Sequence, residues 1–371
     1  MRILYITTVS CTINAFFGSH IEMLVQEGNQ VDLASDFKEW GMDDIFGKLG
    51  CGSYQIDFSR SPLSLDNVKA YGQLKKVIAN GNYDIVHCHT PNASVITRLV
   101  CRKVRKKTGL KVFYTAHGFH FYKGAPKLNW MVFYPIEKFC SRFTDKLITI
   151  NKEDYELAKA KFHAKAVHYV PGVGIDLSRF ENIQVDRAAK RREIGVPEDA
   201  VLLLSVGELN ENKNHQVVVK ALAKLDNSNV HYAIAGVGYK RDYLLALANE
   251  LGVSQQVHLL GYRKDIPELN RAADVFCFPS CREGLGIASV EAMVCGLPLI
   301  TSNVHGINDY STDGVTGYKC PPTDADAFAN AISKLAGNRN LRKKMGQNNT
   351  LLARKYEVGA INLSLKEVYG L

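Results

Sequence analysis

ADVFCFPSCREGLGIASVEAM, residues 273–293, reads as three pieces in a row. VFCF is a short apolar run of the kind that forms a strand buried on both faces. PSCREGLG is a turn that closes on Gly284 and Gly286. From about Gly286 the residues suit a helix, with Glu291 five positions in. Strand, glycine turn and helix in that order form the repeating unit of a doubly wound α/β fold.

Working outward, the same kind of run recurs along the chain. Before it stand RILYIT, VDLAS, YQIDF, DIVHCHT, KVFYTAHG, KLITIN and AVHYVPG, then VLLLSVG, VHYAIAG and VHLLG; LPLITS follows it. Helix-length polar stretches separate them. The chain has 371 residues, which is long for one hydrophobic core. The Gly/Pro-rich VPGVGIDLSRF (170–180) and the polar DRAAKRREIGVPEDA (186–200) break the series in two. Two Rossmann-like domains are therefore expected, residues 1–175 and 176–350, facing each other across a deep cleft. A terminal helix within 351–371 is expected to return to the first domain.

Nine cysteines, an odd number without a C-x-x-C pair, read as free thiols in a reducing compartment. The N-terminal stretch lacks the pattern of a secretory signal, and no segment reaches the roughly 20 apolar residues of a membrane span. A cytoplasmic protein is expected. Residues 1–180 hold 24 Lys/Arg against 16 Asp/Glu, a net +8, and the rest holds +1. Arg102, Lys103, Arg105, Lys106, Lys107 and Lys111 supply much of the excess. A basic half attracts anionic lipid, nucleic acid or a phosphorylated substrate. GFHFYKGAPKLNWMVFYPIEKF (118–139) interleaves aromatics with lysines and suits either a membrane interface or helix packing.

The pair Glu283 and Glu291 raises a chemical question, because a glycine turn opening a helix welcomes an anion. Free amides around Gly286, Ile287 and Ala288 can donate to a phosphate. The two carboxylates can accept from hydroxyls on either side of it. A nucleotide sugar has that order: ribose diol, diphosphate, sugar hydroxyls. Read alone, the two glutamates also fit plain capping of a helix dipole.

Further motifs sharpen the choice. E-x7-E after an F-x-x-P-S strand end, followed by EAMVCGLP, resembles the retaining GT-B glycosyltransferases of family 4. AHG (116–118), PGVGID (171–176), VGELNENKNH (206–215), GYRKDI (261–266), RAADVFCFPS (271–280) and DGVTGY (313–318) resemble the same family. TAHGFHFYKGAP and NWMVFYPIEK look like its bacterial capsular and exopolysaccharide branch.

The resemblance implies a set of roles. Glu283 contacts hydroxyls of the donor sugar and Glu291 grips the ribose. Lys213 neutralises the diphosphate, and His117 reaches the donor sugar. Gly261, Tyr262 and Arg263 lie against the nucleobase. The family often has Gly-Arg-Leu where this chain has Gly207-Glu208-Leu209, so Arg282 or Arg263 is expected to compensate for Glu208. Residues 10–14 replace a Gly-Gly turn. His89, Asn92 and His20 are candidate acceptor contacts. His87 and His89, on one side of a strand, lack a third zinc ligand. No metal and no other cofactor are expected, since Lys213 and a helix start can stand in for a cation.

The resemblance implies a retaining transfer of a hexose or N-acetylhexosamine from a nucleotide sugar, UDP-linked by branch, to a polyprenyl-diphosphate-linked saccharide. The enzyme would sit on the inner face of the plasma membrane through its basic N-terminal domain. A nucleotide-sugar epimerase of the same fold is the nearest rival. A non-catalytic binder of nucleotide sugar or nucleic acid is the other, but no nucleic-acid reader motif occurs. The sequence does not bear on oligomeric state.

Overall fold

A computed structural model describes every residue except 63 and 182. It divides into two compact units: Met1–Gly174 with Val358–Leu371, and Ile175–Glu357.

The first unit holds β1 (Arg2–Val9), α1 (Ser10–Phe16), α2 (Gly18–Gln26), β2 (Gln30–Asp36), α3 (Asp44–Lys48), β3 (Gly52–Gln55) and α4 (Asp66–Gly81). It continues through β4 (Ile85–His89), α5 (Pro91–Thr108), β5 (Lys111–Ala116), α6 (Lys127–Ser141), β6 (Lys146–Thr149), α7 (Lys152–Lys161) and β7 (Ala166–Tyr169). The strands form one sheet in the order β3-β2-β1-β4-β5-β6-β7, and its pairs are parallel.

The second unit holds α8 (Ser178–Glu181), α9 (Arg187–Glu193), β8 (Val201–Val206), α10 (Gln216–Leu225), β9 (Val230–Ala235), α11 (Arg241–Glu250) and β10 (Val257–Gly261). After these come α12 (Ile266–Ala272), β11 (Val275–Phe278), α13 (Ile287–Val294), β12 (Leu299–Ser302), β13 (Gly317–Cys320), α14 (Ala325–Ala336) and α15 (Arg339–Ala353). Its sheet runs β10-β9-β8-β11-β12-β13, also in parallel pairs. The segment that rejoins the first unit starts at Val358 and forms α16 (Val358–Tyr369), while 351–357 stay with the second unit.

Parallel strands covered on both faces need continuous apolar runs, and the interior of β8 and all of β9 are buried. Each run named above overlaps a strand, although YQIDF shares only Tyr54 and Gln55 with β3. β13 is the exception in the other direction: GYKC is four residues long and has only one strand neighbour. Gly317 permits that pairing, because a Cβ there would lie 1.8 Å from the Leu299 carbonyl oxygen. All nine cysteines are free thiols, five of them buried.

Both sheets reverse direction of growth at one point, between β1 and β4 in the first and between β8 and β11 in the second. Loops leaving the carboxyl ends of two such strands diverge, and the crevice between them is where ligands bind in open α/β sheets. In each unit that geometry decides which loops meet.

Candidate active site

In the second unit the loops after β8 and β11 are lashed together. Asn212 Nδ2 donates to the Arg282 carbonyl at 3.0 Å, and Cys281 N donates to the Asn212 carbonyl at 2.7 Å. Asn214, held left-handed at φ 53°, donates from Nδ2 to the carbonyls of Pro279 and Pro322 at 3.1 and 2.7 Å. Neither asparagine was singled out from the sequence, although the alternation N-E-N-K-N was a visible sign of a loop built on side-chain amides.

The lashing brings Lys213 to Glu283. Lys213 Nζ lies 2.5 Å from Glu283 Oε1 and 4.9 Å from the centre of the Phe278 ring. The pair is partly open to solvent, with 22% and 13% of the side chains exposed. So the lysine and the first glutamate, 70 residues apart, form one unit of charge at the switch point.

Helix α13 begins directly beyond. Gly286 precedes it in a left-handed conformation, φ 87° and ψ 69°. Ser289 N donates to the Gly286 carbonyl at 3.0 Å. Helix geometry leaves the amides of Ile287 and Ala288 ahead of that bond without an intrahelical partner. Glu291 stands four residues beyond Ile287, about 6 Å along the axis. It is half-buried, and burial pushes its carboxyl above the usual range while Arg179 acts the other way. The arrangement offers a cation and free amides between two carboxylates. It can hold an anion whose neighbours carry hydroxyls.

Gly286 is required for two reasons. Its φ is unfavourable for any residue with a Cβ, by about 1–2 kcal/mol. A Cβ would also stand 2.5 Å from Phe278 Cε1 and 2.9 Å from the Tyr310 hydroxyl. Gly286→Ala is expected to cost about 2 kcal/mol or more of stability, visible as a lowered Tm. An unchanged Tm would contradict the turn geometry.

The other donor-side candidates are scattered in their circumstances. Gly261 is left-handed, φ 69°, and its carbonyl accepts from Gly236 N at 2.8 Å. Tyr262 beside it is 73% exposed. Glu208 is exposed and accepts from Asn210 Nδ2 at 3.0 Å. The expectation that Arg263 supplies a missing phosphate cation is corrected. Its guanidinium is held by Asp265, at 2.5 and 2.7 Å, and by Glu193. Those two carboxylates hold its pKa above the ordinary value. Arg282 forms no ion pair among the described residues and remains the better placed of the two.

In the first unit the sequence candidates gather at the ends of β4 and β5. His117 follows β5, and its Nε2 lies 3.1 Å from His89 Nδ1. His89 is 2% exposed, stacked on Tyr5 at 4.5 Å and against Phe17 at 4.4 Å. His87 is also buried, bonded to Thr115 Oγ1 at 2.8 Å and to the Tyr369 hydroxyl at 2.5 Å. Tyr369 comes from α16, a partner that strand pattern could not reveal. His20 is 3% exposed, and its Nε2 lies 2.8 Å from the Val173 carbonyl oxygen.

Three acceptor candidates therefore carry structural contacts of their own. His89 and His20 are enclosed by aromatic rings, each with one ring nitrogen bonded and the other, His89 Nε2 and His20 Nδ1, buried without a hydrogen-bond partner. Asn92 donates from Nδ2 to the carbonyls of Ser59 and Arg60, at 3.0 and 2.7 Å, and holds that loop. His117 alone of these histidines keeps partial exposure. Burial, then the neighbouring His20, lowers its pKa to about 4. It is a neutral imidazole at pH 7, able to donate or accept but not to act as a cation. Among the described residues no group of three His, Cys, Asp or Glu side chains is placed to hold a metal ion.

Comparison with known proteins identifies the family of both units. Residues 186–351 match the family model described as glycosyl transferases group 1, and residues 2–151 the model described as glycosyl transferase 4-like. The chain is 36% identical to the putative glycosyltransferase EpsD of Bacillus subtilis, over 99% of this chain and 96% of that one. It is 28% identical to the UDP-Gal:alpha-D-GlcNAc-diphosphoundecaprenol alpha-1,3-galactosyltransferase of Escherichia coli, over 75% and 72% of the two chains. The crystal structure of Anabaena HepE in complex with UDP and glucose has the same fold. It superposes with a TM-score of 0.79 at 19% identity, covering 100% and 99% of the chains. With two parallel, doubly wound sheets and a full-length relative at this identity, the chain belongs to the GT4-like glycosyltransferases of the GT-B fold.

Proposed function

We propose that this glycosyltransferase moves a hexose or N-acetylhexosamine, with retention, from a UDP-sugar to a polyprenyl-diphosphate-linked saccharide. The reaction would serve capsule or exopolysaccharide synthesis. The carrying observation is the contact of Lys213 with Glu283 beside the start of α13. Likeness to EpsD and to a galactosyltransferase named for a diphosphoundecaprenol substrate supports the acceptor class. A neighbour of the same fold bound to UDP and glucose supports the donor class.

In this reading the Ile287 and Ala288 amides and Lys213 hold the diphosphate, with Arg282 as additional cation. Glu291 takes the ribose, Glu283 the sugar hydroxyls, and Gly261 and Tyr262 border the base. His117 donates to or accepts from the donor sugar as a neutral group. The C–O bond to the diphosphate breaks, a C–O bond to the acceptor forms, and the acceptor proton passes to the departing phosphate oxygen. Stabilising charge on that oxygen is the main task, and Lys213 with the helix amides performs it without a metal. The second unit is then the donor domain and the first the acceptor domain. The enzyme works as a peripheral protein on the cytoplasmic face of the membrane.

Thermal shift against UDP, GDP and a panel of their sugars tests the donor. UDP-sugars at 100 times Kd stabilise by about 2.7 kcal/mol, so a clear rise in Tm is expected with UDP-linked donors and not with GDP-linked ones. A shift with GDP-sugars alone sinks the UDP assignment. Product analysis with donor alone is expected to give no new sugar, and formation of an epimer would replace transfer with epimerisation.

A further inference from the structure

Helix α6 turns two different faces outward and inward. Inward, Trp130 and Tyr134 pack with Phe121, at 5.6 and 5.5 Å between ring centres, and Tyr134 also meets Phe162. Glu137 is buried against the Arg98 guanidinium of α5 at 2.8 Å. This side is ordinary helix packing. The opposite side carries Leu128, Met131, Val132, Ile136 and Phe139, all exposed, with Leu128 at 67% and Met131 at 73%. Their spacing, with exposed Pro135 between, is one continuous helical stripe. A helix facing only water carries charged residues there.

The surroundings are basic. Lys123 and Lys127 are exposed at one end of the stripe and Arg142 at the other, while neighbouring α5 exposes Arg102, Lys103, Lys106 and Lys107. Helix α5 contains no acidic residue, and the sole acid of α6 is the buried Glu137. Arg102 lies over the Phe143 ring at 5.5 Å, and Phe143 meets Phe139 edge-on at 5.3 Å. The basic row and the apolar stripe are thus one continuous surface.

Apolar side chains without acids, rimmed by lysine and arginine, complement an anionic lipid surface: the stripe enters the acyl boundary and the rim meets the headgroups. We infer that the outward face of α6, with the basic row of α5, docks this enzyme on an anionic bilayer. The inference rests on the lipid-linked acceptor proposed above and names the surface that reaches it. By topology α6 starts from the β5 end of the sheet, the end that carries His117.

The test is sedimentation of the full chain with vesicles of phosphatidylcholine alone or mixed with phosphatidylglycerol. Wild type is expected to bind the mixed vesicles, more weakly as salt rises. Leu128→Asp with Met131→Asp is expected to reduce that binding at least about tenfold, with unchanged Tm and unchanged transfer to a water-soluble acceptor. Equal binding by wild type and the double variant overturns the docking face, whatever acceptor is used. Absence of vesicle binding overturns it too, as does self-association abolished by the same substitutions in its place. Vesicle binding that depends on α6, together with failure to use any lipid-linked acceptor, leaves the face standing and removes the proposed acceptor.

Discussion

Lys213→Ala is expected to lower kcat/KM for sugar transfer by at least about 100-fold, with Tm changed by only a few degrees. The two magnitudes separate because the lysine does different things in the two situations. As a partly exposed partner of Glu283 it contributes little to the fold, since such pairs are worth about 0.2–1 kcal/mol. Opposite a diphosphate gaining charge as it leaves, a fixed cation is worth about 3–4 kcal/mol. Phe278 beneath the ammonium and the Asn210 side chain, which accepts from Lys213 N at 2.9 Å, keep it in place at no further cost on reaction. Glu283→Gln removes the charge but keeps an acceptor, so it should lose less activity than Glu283→Ala. A double-mutant cycle between positions 213 and 283 is expected to show strong coupling in activity and weak coupling in stability. Wild-type turnover by Lys213→Ala would remove this lysine from the reaction and with it the donor-site reading.

The contrast between these loops and the strands shows what a sequence carries. Strands buried on both faces must be apolar throughout, so VLLLSV or VHYAIA announces itself. GYKC, the sequence of β13, does not, because a four-residue strand led by glycine has no run to display. Lys213 and Glu283 were legible as chemistry but not as neighbours. Their meeting follows from the reversal between β8 and β11, a property of strand order. The alternation around Asn212 and Asn214 signals a loop built on side-chain amides but not its partners, which are backbone carbonyls on two other loops. Two side chains have neighbours that sequence spacing does not announce. Arg263 was read as a free cation, yet Asp265 two residues on and Glu193 from α9 claim it. His89 is a candidate acceptor contact by its place at a strand end, yet Phe17 and Tyr5 cover it. Sequence proximity to a site said nothing about who else competes for the side chain. The 118–139 stretch was ambiguous for a physical reason, since α6 packs aromatics on one side and exposes aliphatics on the other.

The first unit is expected to lose stability steeply as pH falls from about 6.5 toward 4. His20, His87, His89 and His117 are packed in one cluster with Tyr5, Phe17 and Tyr369, and all four are neutral in the fold. Burial lowers His20 and His117 to about 4, and His87 and His89 well below their ordinary value. The sign follows from linkage. An unfolded histidine takes up its proton near pH 6.5, the folded ones only near 4 or below. Above 6.5 the stability is fully present. Below it the unfolded chain gains protons that the fold refuses, and stability drains until the folded groups titrate. At about 1.4 kcal/mol per unit, His20 alone accounts for about 3 kcal/mol, a large share of the 5–15 kcal/mol typical of a domain. Both tryptophans, Trp40 and Trp130, lie in this unit, so tryptophan fluorescence reports on it selectively. Trp40→Phe removes the exposed one and leaves Trp130, packed among Phe121 and Tyr134. On acid titration that signal is expected to break well before pH 4. His20→Gln, whose amide can still donate to the Val173 carbonyl, is expected to move the break to lower pH. If the wild-type signal held to pH 4, or His20→Gln left the midpoint in place, the cluster would not be the acid-sensitive element of the fold.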